Sequence, residues 1–185
     1  MARVAIQNLE LTEEQYLDME LVSPVKHEYI AGQIYAMTGA SDAHNLIVGN
    51  LYIALRDHLR GSPCRVFMAD VKLRVGATDA YYYPDLMVSC EKAANRHYRE
   101  QPVLIVEVLS ESTARYDAGD KRRAYQGLES LREYVLIAQE CMDVRVYRRG
   151  ESGWNLSIYT DGAVIPLKAV ELEIPIERIY EDAWE

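Results

Sequence analysis

The sequence predicts a mixed α/β (α+β) domain in which a central mixed sheet is flanked by helices. Apolar patterns of helical period and of strand period alternate along the 185 residues, and no repeat or linker separates them. A strand–helix–strand unit over 103–138 predicts a right-handed parallel crossover, and hairpins before and after it predict antiparallel pairs. We therefore expect one domain, residues 1–185, with a sizeable core.

The N-terminal half is expected to contain a helix, a hairpin and a second helix. Thr12 is a good N-cap with Gln15 three residues later, which is the pattern of a capping box. Gly32 lies at the turn of the expected hairpin, and Ser41 or Asp42 begins the second helix. Further strands are predicted over 65–75, 82–89, 103–109 and 134–138, a helix over 117–128, and a closing hairpin over 143–160.

The composition is that of an ordinary globular protein, with 49% hydrophobic and 26% charged residues. The net charge of −9 opposes general binding to a polyanion, although basic residues cluster locally at 121–123 and 145–149. No apolar run is long enough to cross a bilayer, and the N-terminus lacks the apolar segment of a secretory signal. We expect a cytoplasmic protein with no membrane partner.

The cysteines predict neither a zinc site nor a disulfide framework. Cys64, Cys90 and Cys141 are odd in number and too far apart to form a chelating pair. Cys90 and Cys141 are expected at strand ends as small buried residues. The four histidines form no close metal-binding pair either.

One carboxylate stands in each of two apolar strands. Glu107 is the only polar residue of the 103–109 run, and Asp85 directly precedes the apolar run 86–88. An unpaired buried charge is costly, and two carboxylates on adjacent strands repel each other unless a cation lies between them. Hard dications prefer carboxylate oxygens, a carbonyl and water. Asp85, Glu107 and the Val108 carbonyl therefore predict a site for Mg²⁺ or Mn²⁺.

Lys121 is predicted to lie beside these carboxylates. On its helix it shares a face with Asp117 and Tyr125, and the apolar members of that face indicate that it points toward the sheet. Its ammonium would then orient an attacking water or stabilise the phosphate. The alternatives are structural: an exposed Lys121–Asp117 pair, a buried ion pair for Glu107 and a turn cap for Asp85.

Several motifs resemble, in their order and spacing, those of a large prokaryotic restriction endonuclease family with the PD-(D/E)XK nuclease fold. The likeness runs over roughly residues 11–159, and the ordered set is far more specific than the Pro-Asp pair alone. The segments that carry it are YPDLMV at 83–88, VEVLS at 106–110 with Ser112 and Thr113, 117–125, EYVL at 133–136 and, upstream, 27–37 with the helix start from Ser41 to His44.

This resemblance implies a restriction-endonuclease-like fold with an extra N-terminal helix and hairpin and a C-terminal hairpin, and a metal-dependent phosphodiesterase activity. Asp85 matches the Asp of the motif, and Glu107 matches its Asp/Glu position. The motif lysine would stand two residues after Glu107, where this chain has Leu109. In the resembling family that lysine is displaced onto the following helix, which makes Lys121 its counterpart and Lys72 a competing candidate.

Other residues are secondary candidates, each with a structural alternative. Glu28 is either an added metal ligand or an exposed hairpin residue, and His44 is either catalytic or a core histidine on an apolar helix face. Asp70 either joins the carboxylates or ends a strand. The tyrosines at 81–83 either stack on bases or pack within the sheet.

Three functions follow from this pattern. The first is a Mg²⁺- or Mn²⁺-dependent endonuclease that cuts DNA, which by analogy of fold would act as a homodimer because a duplex has two strands to cut. The second is an inactive interaction protein that keeps the nuclease fold, which the acidic charge and Leu109 favour. The third is a metal phosphodiesterase for a small substrate.

Overall fold

The computed structural model describes residues 10–37, 39–92, 95–110 and 114–184, and within them the chain forms five α-helices and thirteen strands. A π-helical turn, Asp117–Lys121, joins the third helix to the fourth. The helices are α1 (Glu13–Val22), α2 (Asp42–His58), α3 (Ala114–Tyr116), α4 (Arg122–Gln126) and α5 (Ile176–Ile179). The strands are β1 (His27–Ile30), β2 (Gln33–Ala36), β3 (Arg65–Met68), β4 (Lys72–Val75), β5 (Ala80–Tyr82), β6 (Leu86–Ser89), β7 (Tyr98–Arg99), β8 (Pro102–Leu109), β9 (Glu133–Ala138), β10 (Asp143–Gly150), β11 (Gly153–Thr160), β12 (Val164–Leu167) and β13 (Leu172–Pro175).

The described strands form three sheets. A six-stranded sheet has the order β11-β10-β9-β8-β6-β3, a five-stranded sheet has the order β2-β1-β5-β4-β7, and β12 pairs with β13. Within the six-stranded sheet β8 and β9 are parallel and every other pair is antiparallel. The parallel pair confirms the predicted crossover through the helix, and the β10–β11 hairpin confirms the predicted closing hairpin.

Two segments predicted as single strands are each divided between two sheets. The 65–75 segment becomes β3 and β4, and the 82–89 segment becomes β5 and β6. The second break falls at Pro84 and Asp85, because proline has no N–H to donate to a strand partner. The chain thus passes from the five-stranded to the six-stranded sheet at Asp85, and the carboxylate lies at the junction of the two.

Successive side chains of β8 point to opposite faces of the sheet and therefore pack into two different cores. Leu104, Val106 and Val108 pack with α2, β12, β13 and α5. Ile105 packs on the opposite side, with α4 and the five-stranded sheet. Glu107 stands two residues after Ile105 and therefore shares that second face. Glu107 consequently places a carboxylate beside the apolar and aromatic side chains of that layer.

The predicted N-terminal features are confirmed. Thr12 and Gln15 form a capping box at α1, and β1 and β2 pair around a turn in which Gly32 has a φ of 89°. Ser41 is the N-cap of α2, where its hydroxyl accepts a hydrogen bond from the His44 N–H at 3.1 Å. These caps fix the first turns of both helices, because they satisfy N–H groups that have no partner within the helix.

The expectation that no disulfide forms is wrong, because Cys64 and Cys90 are bonded. In the β3–β6 register Arg65 lies opposite Ser89, so the two cysteines stand opposite each other just beyond the strand ends. Cys141 is free and exposed, rather than buried as expected. None of the helices in the described residues is both long and apolar enough to cross a membrane.

Candidate active site

Asp85 and Glu107 meet across two adjacent strands. The β6–β8 register pairs Leu86 with Val106, which places Asp85 directly opposite Glu107. The Oδ2 atom of Asp85 accepts a hydrogen bond from the Val108 N–H at 2.7 Å, so the carboxylate is held against the end of β8. The predicted adjacency of the two strands is therefore confirmed, and their register brings the two residues opposite each other.

Lys121 reaches the same place from the helix. Its Nζ atom lies 2.8 Å from Glu107 Oε1, 3.2 Å from Glu28 Oε1 and 3.5 Å from Asp117 Oδ1. The Lys121 side chain is only 6% exposed, so the exposed-pair alternative is wrong. Glu28 is also buried rather than exposed on its hairpin. We call Glu28, Asp85, Glu107, Asp117 and Lys121 the carboxylate cluster.

The π-helical turn explains how Lys121 and Asp117 both point inward. A π turn holds one more residue than an α turn, and such turns occur frequently at functional sites. Here the turn spans Asp117–Lys121, so both of its ends are cluster residues, and both are buried. The alternative of a buried ion pair for Glu107 also holds as geometry, since Lys121 is its partner.

Tyrosines line the buried part of the carboxylate cluster. The Tyr125 hydroxyl donates to Glu107 Oε1 at 3.1 Å, and the Tyr134 hydroxyl donates to the Asp117 carbonyl at 3.0 Å. The Lys121 Nζ atom lies 5.8 Å from the centroid of the Tyr82 ring and 5.9 Å from that of Tyr125. Aromatic walls exclude water and so strengthen every charge interaction inside them.

The charges of the carboxylate cluster do not balance. Burial raises the pKa of Glu107 to about 8 against the pull of Lys121, and repulsion from Asp85 and Asp117 adds to the rise. Burial lowers the pKa of Lys121, but Glu107 and its other anionic neighbours outweigh burial and raise this pKa well above the ordinary value. Three carboxyl groups, those of Glu28, Glu107 and Asp117, thus lie within 3.5 Å of one ammonium, and a buried excess of negative charge favours an additional cation.

The donor atoms fit a hard dication. Asp85, Glu107 and the Val108 carbonyl offer oxygen atoms, which Mg²⁺ and Mn²⁺ prefer. Within the residues that the structure describes, no three His, Cys, Asp or Glu side chains form a metal-binding group by themselves. A metal ion would therefore need the carbonyl and several waters to complete its shell, as Mg²⁺ commonly does.

His44 joins the site from the first turn of α2. Its Nε2 atom lies 3.1 Å from Asp85 Oδ2, and its ring also hydrogen-bonds to the backbone of Val108. Burial lowers the pKa of His44, but the hydrogen bond to Asp85 and its negative charge outweigh burial, so this pKa is raised. These contacts satisfy the ring, as the alternative of a core histidine requires, and they also place it at Asp85.

The structure does not bring the other candidates to Glu107. Lys72 lies on β4 next to the Tyr83 ring, on the opposite face of the five-stranded sheet from Glu28. The Asp70 side chain is 80% exposed and forms an ion pair with Lys26. The tyrosines at 81–83 are buried, so they pack within the protein and offer no rings for base stacking.

Sequence reasoning missed two members of the site. Asp117 was considered only as a partner of Lys121, and the hydroxyl of Tyr134 was not considered at all. The one available signal for Asp117 was its spacing of four residues from Lys121, which places both on one helix face. Nothing local to the sequence indicates Tyr134, because its contact depends on how the helix packs on β9.

The comparison with known families identifies the chain. The Uma2 family, described as "Putative restriction endonuclease", matches residues 13–177. The chain belongs to the Uma2 family. Two relatives of this Uma2 protein come from Synechocystis sp. (strain PCC 6803). The first, uncharacterized protein slr1290, is 34% identical over 92% of this chain and 91% of its own length. Uncharacterized protein sll1609 is 34% identical over 80% of this chain and 86% of its own length.

The fold of this Uma2 protein is that of a restriction-endonuclease-like domain. A crystal structure from Anabaena variabilis ATCC 29413, titled as a "putative nuclease belonging to DUF820", superposes with a TM-score of 0.76. The match covers 94% of this chain and 99% of that one at 16% sequence identity. The fold expected from the resemblance is therefore confirmed, including its N-terminal helix and hairpin and its C-terminal hairpin.

Proposed function

We propose that this Uma2 protein is a metal-dependent endonuclease that hydrolyses DNA phosphodiester bonds. The observation that carries the proposal is the juxtaposition of Asp85 and Glu107 on adjacent strands with Lys121 at 2.8 Å from Glu107. Two carboxylates and an amine at the junction of two sheets match the residue types that phosphodiester hydrolysis with a metal ion requires. The family to which the chain belongs is described as "Putative restriction endonuclease", which supports the coarser part of the proposal, a nuclease.

Asp85, Glu107 and the Val108 carbonyl are the groups that would hold Mg²⁺ or Mn²⁺. When bound, the ion would lower the pKa of a coordinated water and neutralise charge that develops on the phosphate. Asp85 is already oriented by the Val108 N–H, and Glu107 by the Tyr125 hydroxyl. Preorganised ligands of this kind reduce the reorganisation that binding and catalysis would otherwise need.

The Lys121 ammonium opposes the effect of burial on Glu107 and lowers its pKa, which is nevertheless raised to about 8 in the metal-free protein. A bound dication would complete the ionisation of Glu107, because a metal ion binds the carboxylate and not the neutral acid. The same ammonium holds Glu28 and Asp117 and so fixes the end of the π turn against β8. We assign to Lys121 the positioning of Glu107 and the stabilisation of the phosphate.

A homodimer is part of the proposal, because cleaving both strands of a duplex requires two such sites. DNA is the proposed substrate, and the net charge of −9 means that dications must offset repulsion from the phosphates. Sedimentation at micromolar concentration, with and without a short duplex, tests the assembly. A monomer under both conditions contradicts the homodimer.

Cleavage of supercoiled plasmid tests the activity. Wild-type protein should convert the plasmid to nicked and linear forms with Mg²⁺ or Mn²⁺ and not with EDTA. Asp85→Asn and Glu107→Gln should each reduce the rate at least roughly a hundredfold, because each removes a charged ligand. Asp70→Asn is the matched control, since it removes an exposed carboxylate away from the site. Equal nicking by all four proteins overturns the proposal.

One observation favours the second function, an inactive interaction protein. The Lys121 ammonium has three carboxylate partners, and a closed ion cluster of this kind can serve structure alone. The two functions differ in what Mg²⁺ does to stability, because only a protein that binds the ion is stabilised by it. If millimolar Mg²⁺ raises the melting temperature of the wild type and not of Asp85→Asn, the interaction protein loses its support.

A further inference from the structure

We propose that His44 is a further protein ligand of the metal ion, beside Asp85 and the Val108 carbonyl, and that it makes the site prefer first-row transition dications to Mg²⁺. This inference rests on the proposed metal-dependent function and adds a nitrogen donor to an oxygen site. It concerns which metal ion the protein binds. It also predicts a spectroscopic signal from a coordinated nitrogen, which a site with only oxygen ligands does not give.

The first support is the convergence of donor atoms. His44 Nε2 lies 3.1 Å from Asp85 Oδ2, and the ring also contacts the Val108 backbone, whose carbonyl is a predicted ligand. Neighbouring ligands of an octahedral ion with bonds near 2.1 Å are roughly 3 Å apart. The nitrogen and the carboxylate oxygen, which form a hydrogen-bonded pair in the structure, therefore have a separation that two adjacent ligands of one ion also have.

The second support is that His44 is held in place. The Ser41 hydroxyl caps the first turn of α2 at the His44 N–H, and the next residues on that face, Ile47 and Leu51, are buried in the core. The His44 and Asp85 side chains are 13% and 16% exposed, so a small ion can enter while the ring has little freedom to turn away. A rigid ring costs little entropy when it binds.

The preference follows from ligand chemistry. Mg²⁺ binds oxygen almost exclusively and gives up its waters reluctantly, whereas imidazole is a common ligand of transition metals. Among first-row ions the affinity of a nitrogen-containing site rises from Mn²⁺ to Co²⁺. Removing the imidazole should therefore weaken Co²⁺ strongly, Mn²⁺ less, and Mg²⁺ least.

Pulsed electron paramagnetic resonance of Mn²⁺ bound to the full-length wild type tests the ligand directly. Modulation from a directly coordinated ¹⁴N nucleus is expected, and it should disappear in His44→Gln. The wild-type spectrum needs no variant, so the result does not depend on whether His44→Gln folds. Mn²⁺ that binds through Asp85 without ¹⁴N coupling overturns the inference and leaves the proposed function intact.

Calorimetric titration with Co²⁺ and Mg²⁺ tests the preference. His44→Gln should lose roughly tenfold to a hundredfold in Co²⁺ affinity and change little for Mg²⁺. His97→Gln, which alters an exposed histidine, is the matched control and should leave both affinities unchanged. Equal losses for both ions indicate that His44 only orients Asp85, and this overturns the inference. Failure of the wild type to bind any of the ions overturns the metal-dependent function itself.

Discussion

The five-stranded sheet has a buried polar cluster on each face, and the two clusters differ in charge balance. The carboxylate cluster lies on the face that bears Glu28. On the other face, under α1, Glu20 accepts hydrogen bonds from the His27 N–H and the Tyr83 hydroxyl, both at 2.8 Å. Glu20 also lies 3.0 Å from His27 Nδ1. We call Glu20, His27, Lys72 and Tyr83 the α1 cluster.

The pKa values of the two lysines shift in opposite directions, although burial lowers both. Burial lowers the pKa of Lys72, and Glu20 opposes it only in part. For Lys121 the surrounding carboxylates outweigh burial, and its pKa is raised. The α1 cluster thus has one carboxylate and one lysine, whereas the carboxylate cluster has four and one. We infer that the first serves structure, and that the second keeps an excess of charge that a bound cation would neutralise.

Removing each lysine gives the largest expected contrast between the clusters. Lys121→Met leaves Glu28, Glu107 and Asp117 buried without their cation and should lower the free energy of unfolding by about 3–5 kcal/mol. Lys72→Met breaks no ion pair among the residues that the structure describes and keeps the apolar stem, so its cost should stay within about 1 kcal/mol. Urea unfolding at pH 7 without metal measures both. Similar losses for the two variants contradict the contrast.

How far the sequence predicts these clusters depends on whether a contact is local. Asp85 and Glu107 were predictable because each interrupts an apolar run, and Lys121 because helix periodicity places it with Tyr125. The position of Lys72 was not, because the 65–75 segment breaks and β4 joins the other sheet. A break of this kind reflects tertiary packing, which local propensity does not contain.

The same distinction applies to Glu28 and to the cysteines. Glu28 contacts Lys121 across 93 positions of sequence, a separation that single-sequence patterns cannot resolve. Cys64 and Cys90 are joined because β3 and β6 pair in one particular register, and a shift of one residue would separate them. The fold class and the two strand carboxylates follow from sequence, whereas partners that depend on register and sheet order require the structure.

The dependence of stability on pH should differ between the clusters, because Glu107 has a raised pKa. Its folded pKa of about 8 exceeds the ordinary value of 4.5, so between these values the folded state binds more protons than the unfolded state. Stability of the metal-free protein should therefore fall as pH rises from about 5 to 8, by at most about 1.4 kcal/mol per pH unit. Asp85, Asp117 and Lys121 are the charged groups that act on Glu107: the two carboxylates raise its pKa and the ammonium lowers it.

Two controls sharpen this prediction. Glu107→Gln should flatten the profile between pH 5 and 8, whereas Glu20→Gln in the α1 cluster should lower stability at all pH values in that range with the slope retained. Saturating Mn²⁺ should also remove the slope in the wild type, because a cation favours the ionised carboxylate. Thermal unfolding at fixed ionic strength measures the profile. A wild-type profile that rises from pH 5 to 8 would show that Glu107 is ionised throughout.

The smallest expected effect concerns two tyrosine hydroxyls: removing either should lower stability, but removing only one of them should also slow cleavage. Tyr83→Phe removes the donor to Glu20 and should cost about 1–2 kcal/mol of stability, with plasmid cleavage unchanged. Tyr125→Phe removes the donor to Glu107 and should cost a similar amount, but should also slow cleavage roughly tenfold, because Glu107 loses part of its orientation. The deciding measurement is the cleavage rate at matched fraction folded. Equal rates for the two variants would mean that the Tyr125 hydroxyl, like that of Tyr83, supports only the fold.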